Sequence, residues 1–165
     1  MINIRRARTA DVKAIRALVD TYTTDRRLLS KATVTLYESV QEFWVATDAD
    51  DRVVGCGALH VMWEDLAEIR TVAVDPAHRG QKIGHRIVTE LLEVARDIGV
   101  ARVFCLTFET RFFGSFGFTE IDGAPVPHGV YEQLLRSYDE GVAEFLDLER
   151  VKPNTLGNTR MLLHL

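Results

Sequence analysis

The chain has 165 residues, of which 47% are hydrophobic and 27% charged, and its formal net charge is -4. This length predicts one domain over residues 1–165, and the balance of apolar and charged residues is typical of a globular protein. The longest apolar runs fall well short of the ~18 residues of a membrane-spanning helix, so no membrane is expected as a partner. The acidic balance disfavours nucleic acid as a partner as well.

The N-terminal segment predicts a strand followed by a helix. Residues 2–7, "INIRRA", alternate apolar and charged residues as an edge strand does, and Thr9 is placed to cap a helix that continues to about Tyr22. A second short helix is expected around Thr35 to Val40. Because the first residues contain no apolar signal core, we expect a cytoplasmic protein.

Three strand patterns follow one another in the middle of the chain: "EFWVATD", "RVVGCGALHVMW" and "AEIRTVAVD". Their short, turn-rich connections predict an antiparallel meander. A helical pattern then runs from Lys82 to about Ile98, where Gly99 suits a helix end, and the apolar run "ARVFCLTF" suits a strand covered on both faces. Strand, helix and strand here predict a parallel crossover.

The C-terminal third predicts smaller elements. A short helix and a strand are expected in "ETRFFGSFGFTEI", a helix in at least the first half of "VYEQLLRSYDEGVAEFLDL", a loop in "ERVKPNTLGN" and a final strand in "TRMLLHL". The expected fold class is therefore α/β, with a mixed central sheet whose N-terminal half is antiparallel, one parallel crossover, and helices on both faces.

The cysteines and histidines suggest no special chemistry. Cys56 and Cys105 both lie inside apolar strand patterns, which favours reduced core residues over a disulfide or a nucleophile. The five histidines show no spacing typical of a metal-ligand pair, so no metal is expected.

The most informative stretch is the junction "VAVDPAHRGQKIGHRI", where a strand pattern gives way to a helix. The first N–H groups of a helix lack intrahelical partners and carry partial positive charge. Gly80 and Gly84 remove side chains where a bulky anion could approach the backbone. Basic side chains surround the same turn: Arg79, Lys82, His85 and Arg86. The pattern favours a phosphate-bearing ligand, and a tight turn with solvated basic residues is the alternative.

The spacing of this turn excludes two common nucleotide-binding loops. A P-loop has four residues between its glycines and ends in Gly-Lys-Ser/Thr, whereas three residues separate Gly80 from Gly84 and His85 follows. The G-x-G-x-x-G pattern of dinucleotide-binding proteins is also missing.

The turn resembles the cofactor motif of the GNAT superfamily of N-acetyltransferases, [QR]-x-x-G-x-[GA]. Arg79 and Gly84 match its first and last positions, "VAVDP" supplies the preceding strand end, and Lys82 replaces the middle glycine. A lysine there keeps the backbone N–H contact if its φ is negative. The order of the predicted elements fits the same superfamily along nearly the whole chain.

The resemblance implies acetyl-coenzyme A as the acetyl donor. It places the pyrophosphate on the turn that starts at Arg79, at Gly80, Gln81, Lys82, Ile83, Gly84 and His85, and pairs the pantetheine arm with the backbone of Val72, Ala73 and Val74. Glu68, four residues before Val72, is then the candidate base that takes a proton from the attacking amine. From the residues alone, a surface carboxylate in an ion pair is the favoured interpretation of Glu68.

A closer resemblance suggests the acceptor. The segments "LLSKATVTLYESVQEFWVA", "EIRTVAV", "LTFETRFFGSFGF" and "NTRMLLHL" are similar to the acetyltransferase domain of N-acetylglutamate synthases, in the short form without a kinase domain. This implies L-glutamate as the acceptor, with L-glutamine as a near-isosteric alternative, and a place in arginine biosynthesis. Substrate-binding residues carried over by position are Lys31, Arg70 and Arg160. Thr107 and Glu109, at and just beyond the end of the apolar strand, are further candidates for the lining of the substrate cleft.

Several alternatives stay open. Lys31 is also compatible with a solvated loop, Arg160 with a surface ion pair, and Thr107 with a helix cap. Many superfamily members use a tyrosine to protonate the departing thiolate, but Phe112 and Phe113 occupy that segment, so the acid is unassigned. Rival functions are acetyl transfer to another small amine or a protein N-terminus, and acyl-coenzyme A sensing without catalysis. The oligomeric state is left open between monomer and homodimer.

Overall fold

The computed structural model describes residues 1–23 and 32–165. The strands in these ranges are β1 (Asn3–Arg6), β2 (Phe43–Thr47), β3 (Val53–Trp63), β4 (Leu66–Val74), β5 (Arg102–Thr107), β6 (Thr119–Glu120) and β7 (Thr159–His164). The α-helices are α1 (Val12–Thr23), α2 (Thr33–Glu38), α3 (Ile83–Asp97), α4 (Thr110–Gly114), α5 (His128–Leu134), α6 (Glu140–Phe145) and α7 (Lys152–Thr155).

The strands form a seven-stranded mixed sheet in the order β1-β2-β3-β4-β5-β7-β6. The pairs β1–β2 and β2–β3 are antiparallel, as are β5–β7 and β6–β7. The strands on either side of α3 in the sequence, β4 and β5, pair in parallel from Leu66↔Arg102 to Glu68↔Phe104. The predicted α/β class, with an antiparallel beginning and one parallel crossover, is confirmed.

Two compact units divide the chain. The first contains residues 1–60 and 69–98, and the second contains residues 61–68 and 99–165. A single domain over residues 1–165 stays a prediction. Within the described ranges, no helix combines the length and apolar character needed to cross a membrane.

The first unit opens with an ion pair that joins β1 to the start of α1. Arg5 Nη1 and Nη2 donate to the two carboxylate oxygens of Asp11 at 2.8 and 3.0 Å, and the Arg8 N–H donates to Asp11 Oδ2 at 2.7 Å. Asp11 therefore stabilises this turn from inside a short 3₁₀ segment, Thr9–Asp11, that precedes α1. The prediction that Thr9 caps the helix is wrong, because the stabilising carboxylate comes two residues later.

Close packing of α3 onto the sheet depends on two glycines of β3. A Cβ atom at Gly55 would lie 2.9 Å from Ile83 Cγ2, and one at Gly57 would lie 2.7 Å from Ile87 Cγ2. Real Cβ atoms do not approach other carbons so closely, so these positions admit only glycine while α3 stays where it is. The glycines thus fix the position of α3, and with it the helix N-terminus that follows the predicted anion-binding turn.

The second unit packs its helices around Phe104 of β5. Phe104 and Phe145 of α6 are fully buried and meet edge to face, with ring centroids 5.3 Å apart. The buried cluster continues through Met62, Leu66, Leu134, Val142, Leu146 and Leu162. Such edge-to-face contacts add to the stabilisation from burial, so α6 is firmly attached to β5.

The predicted loop at residues 149–158 is wrong in its first half. Glu149–Val151 form a 3₁₀ turn, and α7 follows over Lys152–Thr155. Pro153 lies in the first turn of α7, where its missing N–H has no intrahelical acceptor to lose and its fixed φ suits a helix. The proline therefore favours the start of a helix at this point.

Candidate functional site

The predicted anion-binding turn lies in the first unit, between β4 and α3. Gly80 has a φ of +84°, and no atom lies within 4 Å of the place where its Cβ would be. Gly84 is the second residue of α3. Among the described residues, no side chain caps α3, and its first turn contains no acidic residue. The N-terminus of this 15-residue helix therefore keeps its backbone donors and its partial positive charge available for an anion.

Lys82 immediately precedes α3 and has a left-handed φ of +57°. A lysine here was expected to keep the amide contact only if its φ were negative. The observed φ is positive, so this condition is not met. Few residues other than glycine adopt this conformation, because their Cβ is too close to the following carbonyl. This explains physically why the related motif has a glycine at this position. In this protein the turn keeps the conformation at the cost of some strain.

The basic residues of the turn fall into two groups. Arg79, Lys82 and His85 are exposed, as is the neutral Gln81 between them, so their polar groups can reach a ligand from solvent. The Arg86 guanidinium instead donates from Nη1 to the carbonyl oxygen of Ile2 at 3.0 Å. Arg86 thus ties α3 to the N-terminal strand region, and the accessible positive charge comes from the residues before it.

The end of β4 leads into this turn and departs from regular strand geometry. Thr71 has a left-handed φ of +58°, and its carbonyl oxygen lies 3.4 Å from the Cys56 thiol. In a regular strand, the side chains of Glu68 and Val72 would point to the same face. Because of the irregularity at Thr71, this alternation of side-chain direction does not extend from Glu68 to Val72. Further along, the Tyr22 hydroxyl donates to the Val74 carbonyl oxygen, a contact that no sequence pattern indicated. Asp75 then accepts a hydrogen bond from the Ala77 N–H and holds the bend after the strand.

Glu68 lies in the second unit and is 4% exposed, so it is not the surface carboxylate of the alternative interpretation. It is in register with Phe104 of β5. The α-carbon of Gly141, in α6, faces its carboxylate: a Cβ there would lie 2.9 Å from Glu68 Cδ and closer still to Oε1. The carboxylate also acts on Cys105, because burial first and the charge of Glu68 second raise the pKa of that thiol.

Both cysteines are free and buried, as predicted. Burial raises the pKa of Cys56 to about 12, and the pKa of Cys105 is raised well above its ordinary value. A thiol with such a pKa is protonated at neutral pH and is a poor nucleophile. The described part of the chain also contains no group of three or more His, Cys, Asp or Glu residues that could hold a metal ion.

The remaining predicted substrate ligands have different surroundings. Lys31 lies outside the described residues. Arg70 is half-buried on β4. In the second unit, the Thr107 hydroxyl oxygen accepts the Glu109 N–H at 2.8 Å, and Glu109 is exposed at the start of α4. Thr107 thus stabilises the turn before α4, but it is not the helix cap of the alternative interpretation, because the N-cap residue of α4 is Glu109.

Arg160 of β7 is 9% exposed and points its guanidinium at backbone carbonyls. Nε donates to the Glu144 oxygen at 3.0 Å, and Nη2 donates to the Gly123 oxygen at 2.8 Å and to the Phe145 oxygen. Burial lowers the pKa of Arg160, opposed by the charges of Asp147 and Asp122. These contacts fasten the end of α6, so the surface ion pair is not what is observed, and the role in substrate binding stays a prediction.

Gly141 is the functional candidate that the sequence analysis missed. The only signal was a glycine inside the helical pattern "DEGVAEF", which often marks a close approach of another group. The group that approaches comes from β4, more than 70 positions earlier, and neither helical nor strand periodicity can indicate such a contact.

Comparisons with known proteins identify the family of this chain. The model of the Acetyltransferase (GNAT) family matches residues 12–118, more than half of the chain. An amino-acid acetyltransferase of Mycobacterium tuberculosis is 65% identical over 162 residues, which cover 97% of this chain and 92% of that protein.

Solved structures show the same fold. A crystal structure of a Mycobacterium tuberculosis protein in complex with CoA and NLQ has a TM-score of 0.95 and 65% identity, and the match covers 99% of both chains. The N-acetylglutamate synthase of Neisseria gonorrhoeae, complexed with coenzyme A and N-acetyl-glutamate, has a TM-score of 0.80 at 23% identity. The whole of this chain corresponds to 35% of that one, and at this identity the likeness concerns the fold alone. The resemblance noted in the cofactor motif is confirmed, and the chain belongs to the GNAT family of acetyltransferases.

Proposed function

We propose that this protein transfers the acetyl group of acetyl-coenzyme A to the α-amino group of L-glutamate or L-glutamine, as the first step of arginine biosynthesis. The observation that carries the proposal is the N-terminus of α3, which follows an open glycine turn, has no side-chain cap among the described residues and has no acidic residue in its first turn. The 65% identical amino-acid acetyltransferase and the related structure with CoA and NLQ support an amino acid as the acceptor.

The turn fits the pyrophosphate of the cofactor. At Gly80 the backbone is open to an approaching group, and the first N–H groups of α3, from Ile83 to His85, provide donors for phosphate oxygens. Arg79, Gln81 and Lys82 are exposed beside them. Bound there, acetyl-coenzyme A supplies the thioester that is cleaved. We assign the pantetheine contacts to the backbone of Val72, Ala73 and Val74, where the Val74 carbonyl already accepts the Tyr22 hydroxyl.

Glu68 has the chemistry of the base that activates the amine. An α-ammonium group is not nucleophilic until it loses its proton, and a carboxylate can accept that proton directly or through a water molecule. Glu68 is buried, and it lies on the same strand, β4, as Val72, where the proposed cofactor contacts begin. Its burial against Gly141 of α6 confines the carboxylate before the amine arrives, and such confinement favours a reactive geometry.

The substrate carboxylates require cationic partners. Arg70 is the best-supported of the three carried-over cations, because it lies on the same strand as Glu68, two residues later, and is half-buried. Arg160 directs its donors to carbonyls of the α6 end, and Lys31 lies outside the described residues. One cation fewer would suffice for glutamine, whose side chain is an amide. Thr107 and Glu109 remain proposed contacts at the end of β5.

The departing thiolate does not demand a strong acid. A thiol has an ordinary pKa of about 8.5, so the coenzyme thiolate is a tolerable leaving group. Two tyrosines lie further along the chain: Tyr131, in α5, is half-buried against the core of the second unit, whereas Tyr138 is fully exposed. Neither has a contact that assigns it this role.

A panel of acceptors tests the proposal. Purified protein with acetyl-coenzyme A is mixed with each amino acid, a polyamine and an N-terminal peptide at equal concentration, and free thiol is measured. We expect release with glutamate or glutamine above all other amines. Release only with another amine would contradict the proposed acceptor.

A pair of variants separates an enzyme from a sensor. Glu68→Gln keeps the shape of the side chain and removes the base, so turnover should fall by about 10²-fold or more while coenzyme A binding persists. Glu64→Gln changes an exposed glutamate just before the same strand and should have no effect on turnover. If wild-type protein binds coenzyme A but releases no thiol with any amine, the non-catalytic alternative holds.

A further inference from the structure

The absence of a side chain at Gly141 makes room for the Glu68 carboxylate. A Cβ atom at Gly141 would lie 2.9 Å from Glu68 Cδ, closer still to Oε1, and 3.1 Å from Asp139 Oδ2. Contacts below 3.0 Å do not occur for real Cβ atoms, so a side chain here forces something to move.

The backbone conformation of Gly141 does not itself call for glycine. Gly141 is the second residue of α6, and its φ lies outside the left-handed region that five other glycines occupy among the described residues. Glycine inside a helix costs stability relative to alanine, because it loses more conformational freedom on folding. The steric contact with Glu68 is therefore the feature that explains why this residue has no side chain.

Helix α6 is held at both ends and cannot easily withdraw. At its start, the Asp139 side chain accepts the Val142 N–H at 3.1 Å. At its end, Arg160 donates to the Glu144 and Phe145 carbonyls, and Phe145 packs edge to face on Phe104. If a larger residue replaced Gly141, the helix α6 would therefore not move away from Glu68 to make room for the new side chain.

On the other side of the contact, the movable group is the Glu68 carboxylate. The backbone of β4 at Glu68 is paired in register with Phe104, whereas the side chain has rotatable bonds of its own. Because Glu68 is buried, a displaced carboxylate has to find another place within the packed second unit.

We propose that Gly141 is a positioning residue for the reaction: by lacking a side chain, it lets α6 approach β4 and sets the place from which the Glu68 carboxylate accepts the proton of the substrate amine. The catalytic part of this inference rests on the proposed function.

Gly141→Ala tests the inference, with Gly129→Ala as the matched control. Gly129 is the second residue of α5, lies in the same unit and has no atom within 4 Å of its would-be Cβ. We expect Gly141→Ala to lower kcat by roughly 10²-fold at neutral pH with little change in the Kd of coenzyme A, since misplacing a reacting group by about 1 Å has that order of effect. Gly129→Ala should stay within about twofold of wild type.

The pH dependence distinguishes positioning from general damage. As pH rises toward the pKa of the substrate amine, more of the amine is already deprotonated, and the base matters less. The deficit of Gly141→Ala should therefore shrink at high pH, whereas a merely loosened fold would keep or enlarge it.

A stability cycle tests the contact without any assay of activity. The urea midpoints of wild type, Gly141→Ala, Glu68→Ala and the double variant are compared. Truncating Glu68 removes the group that the new Cβ meets, so the destabilisation by Gly141→Ala should largely disappear in the Glu68→Ala background.

Two results would overturn the inference. One is Gly141→Ala protein as active as Gly129→Ala, and the other is an equal loss of stability from Gly141→Ala with and without Glu68. Wild-type protein that transfers acetyl to no amino acid would instead overturn the proposed function together with the catalytic part of the inference, and the stability cycle would still decide whether the contact exists.

Discussion

Replacing Lys82 by glycine tests the proposed cofactor turn, because the substitution should raise the stability of the protein and lower its affinity for coenzyme A. The φ of +57° at Lys82 costs a residue with a Cβ about 1–2 kcal/mol, a penalty that glycine does not have. Lys82→Ala removes the charge and keeps the strained conformation, whereas Lys82→Gly removes both. Comparing these two variants isolates the backbone strain from the charge.

The expected difference in the free energy of unfolding between Lys82→Gly and Lys82→Ala is the relieved backbone strain minus the cost of the extra conformational freedom of glycine in the unfolded chain. Glycine loses roughly 0.5–1 kcal/mol more conformational freedom than alanine on folding, so a net gain of about 1 kcal/mol remains for Lys82→Gly over Lys82→Ala. For a chain of this size, 1 kcal/mol corresponds to about 2–4 °C in Tm. Both variants lose one exposed positive charge beside the proposed pyrophosphate site, worth ~0.5–1 kcal/mol, so coenzyme A should bind about two- to fivefold more weakly.

Urea unfolding without ligand and calorimetric titration with coenzyme A measure the two effects. Gln81→Gly is the control, because Gln81 is an exposed neighbour whose φ is not left-handed, and it should lose stability. A Lys82→Gly protein no more stable than Lys82→Ala would refute the left-handed conformation. Unchanged coenzyme A affinity in both variants would refute the contact of the Lys82 charge with phosphate.

Two further predictions concern the scaffold of the first unit. Hydrogen bonding to Arg5 above all lowers the pKa of Asp11 in the folded protein. The ionised Asp11 therefore stabilises the fold at pH values above the ordinary carboxyl pKa, and this stabilisation is lost as the pH falls through the lowered pKa of the folded protein. Asp11→Asn should therefore cost about 2 kcal/mol at pH 7, measured by urea unfolding, and the difference from wild type should vanish in acid; a cost independent of pH would contradict this. Gly57→Ala should cost about 1–3 kcal/mol by pushing against Ile87 of α3, while Gly114→Ala, with open space around it, should be nearly neutral in thermal unfolding.

The sequence predicts those features of the fold that depend on local periodicity. Alternation indicated β2, β3 and β4, and apolar positions at helical spacing indicated α3, whose observed range is Ile83–Asp97. The strand end before Arg79 and the helical pattern after Gly84 indicated the turn between β4 and α3, and the assignment of this turn to the cofactor, which came from the family resemblance, stays a prediction. Periodicity and turn residues are properties of neighbouring positions, so a single sequence contains them.

Features that depend on contacts between segments distant in the sequence could not be predicted from the sequence. The left-handed φ of Thr71 interrupts β4 without any glycine to indicate it. Arg160 is drawn to the carbonyls that end α6, and this contact exists only after β7 and α6 have packed. Gly141 meets Glu68 for the same reason. In each case tertiary packing decides a geometry that local preference leaves undetermined.

Mass spectrometry of the reaction product tests the central claim most directly. Wild-type protein, acetyl-coenzyme A and an equimolar mixture of the common amino acids are incubated, and the acetylated amino acid and the position of its acetyl group are identified. The proposed function predicts Nα-acetylated glutamate or glutamine as the dominant product. Acetylation of a different amino acid, or no acetylated product from protein shown to bind coenzyme A, would contradict it.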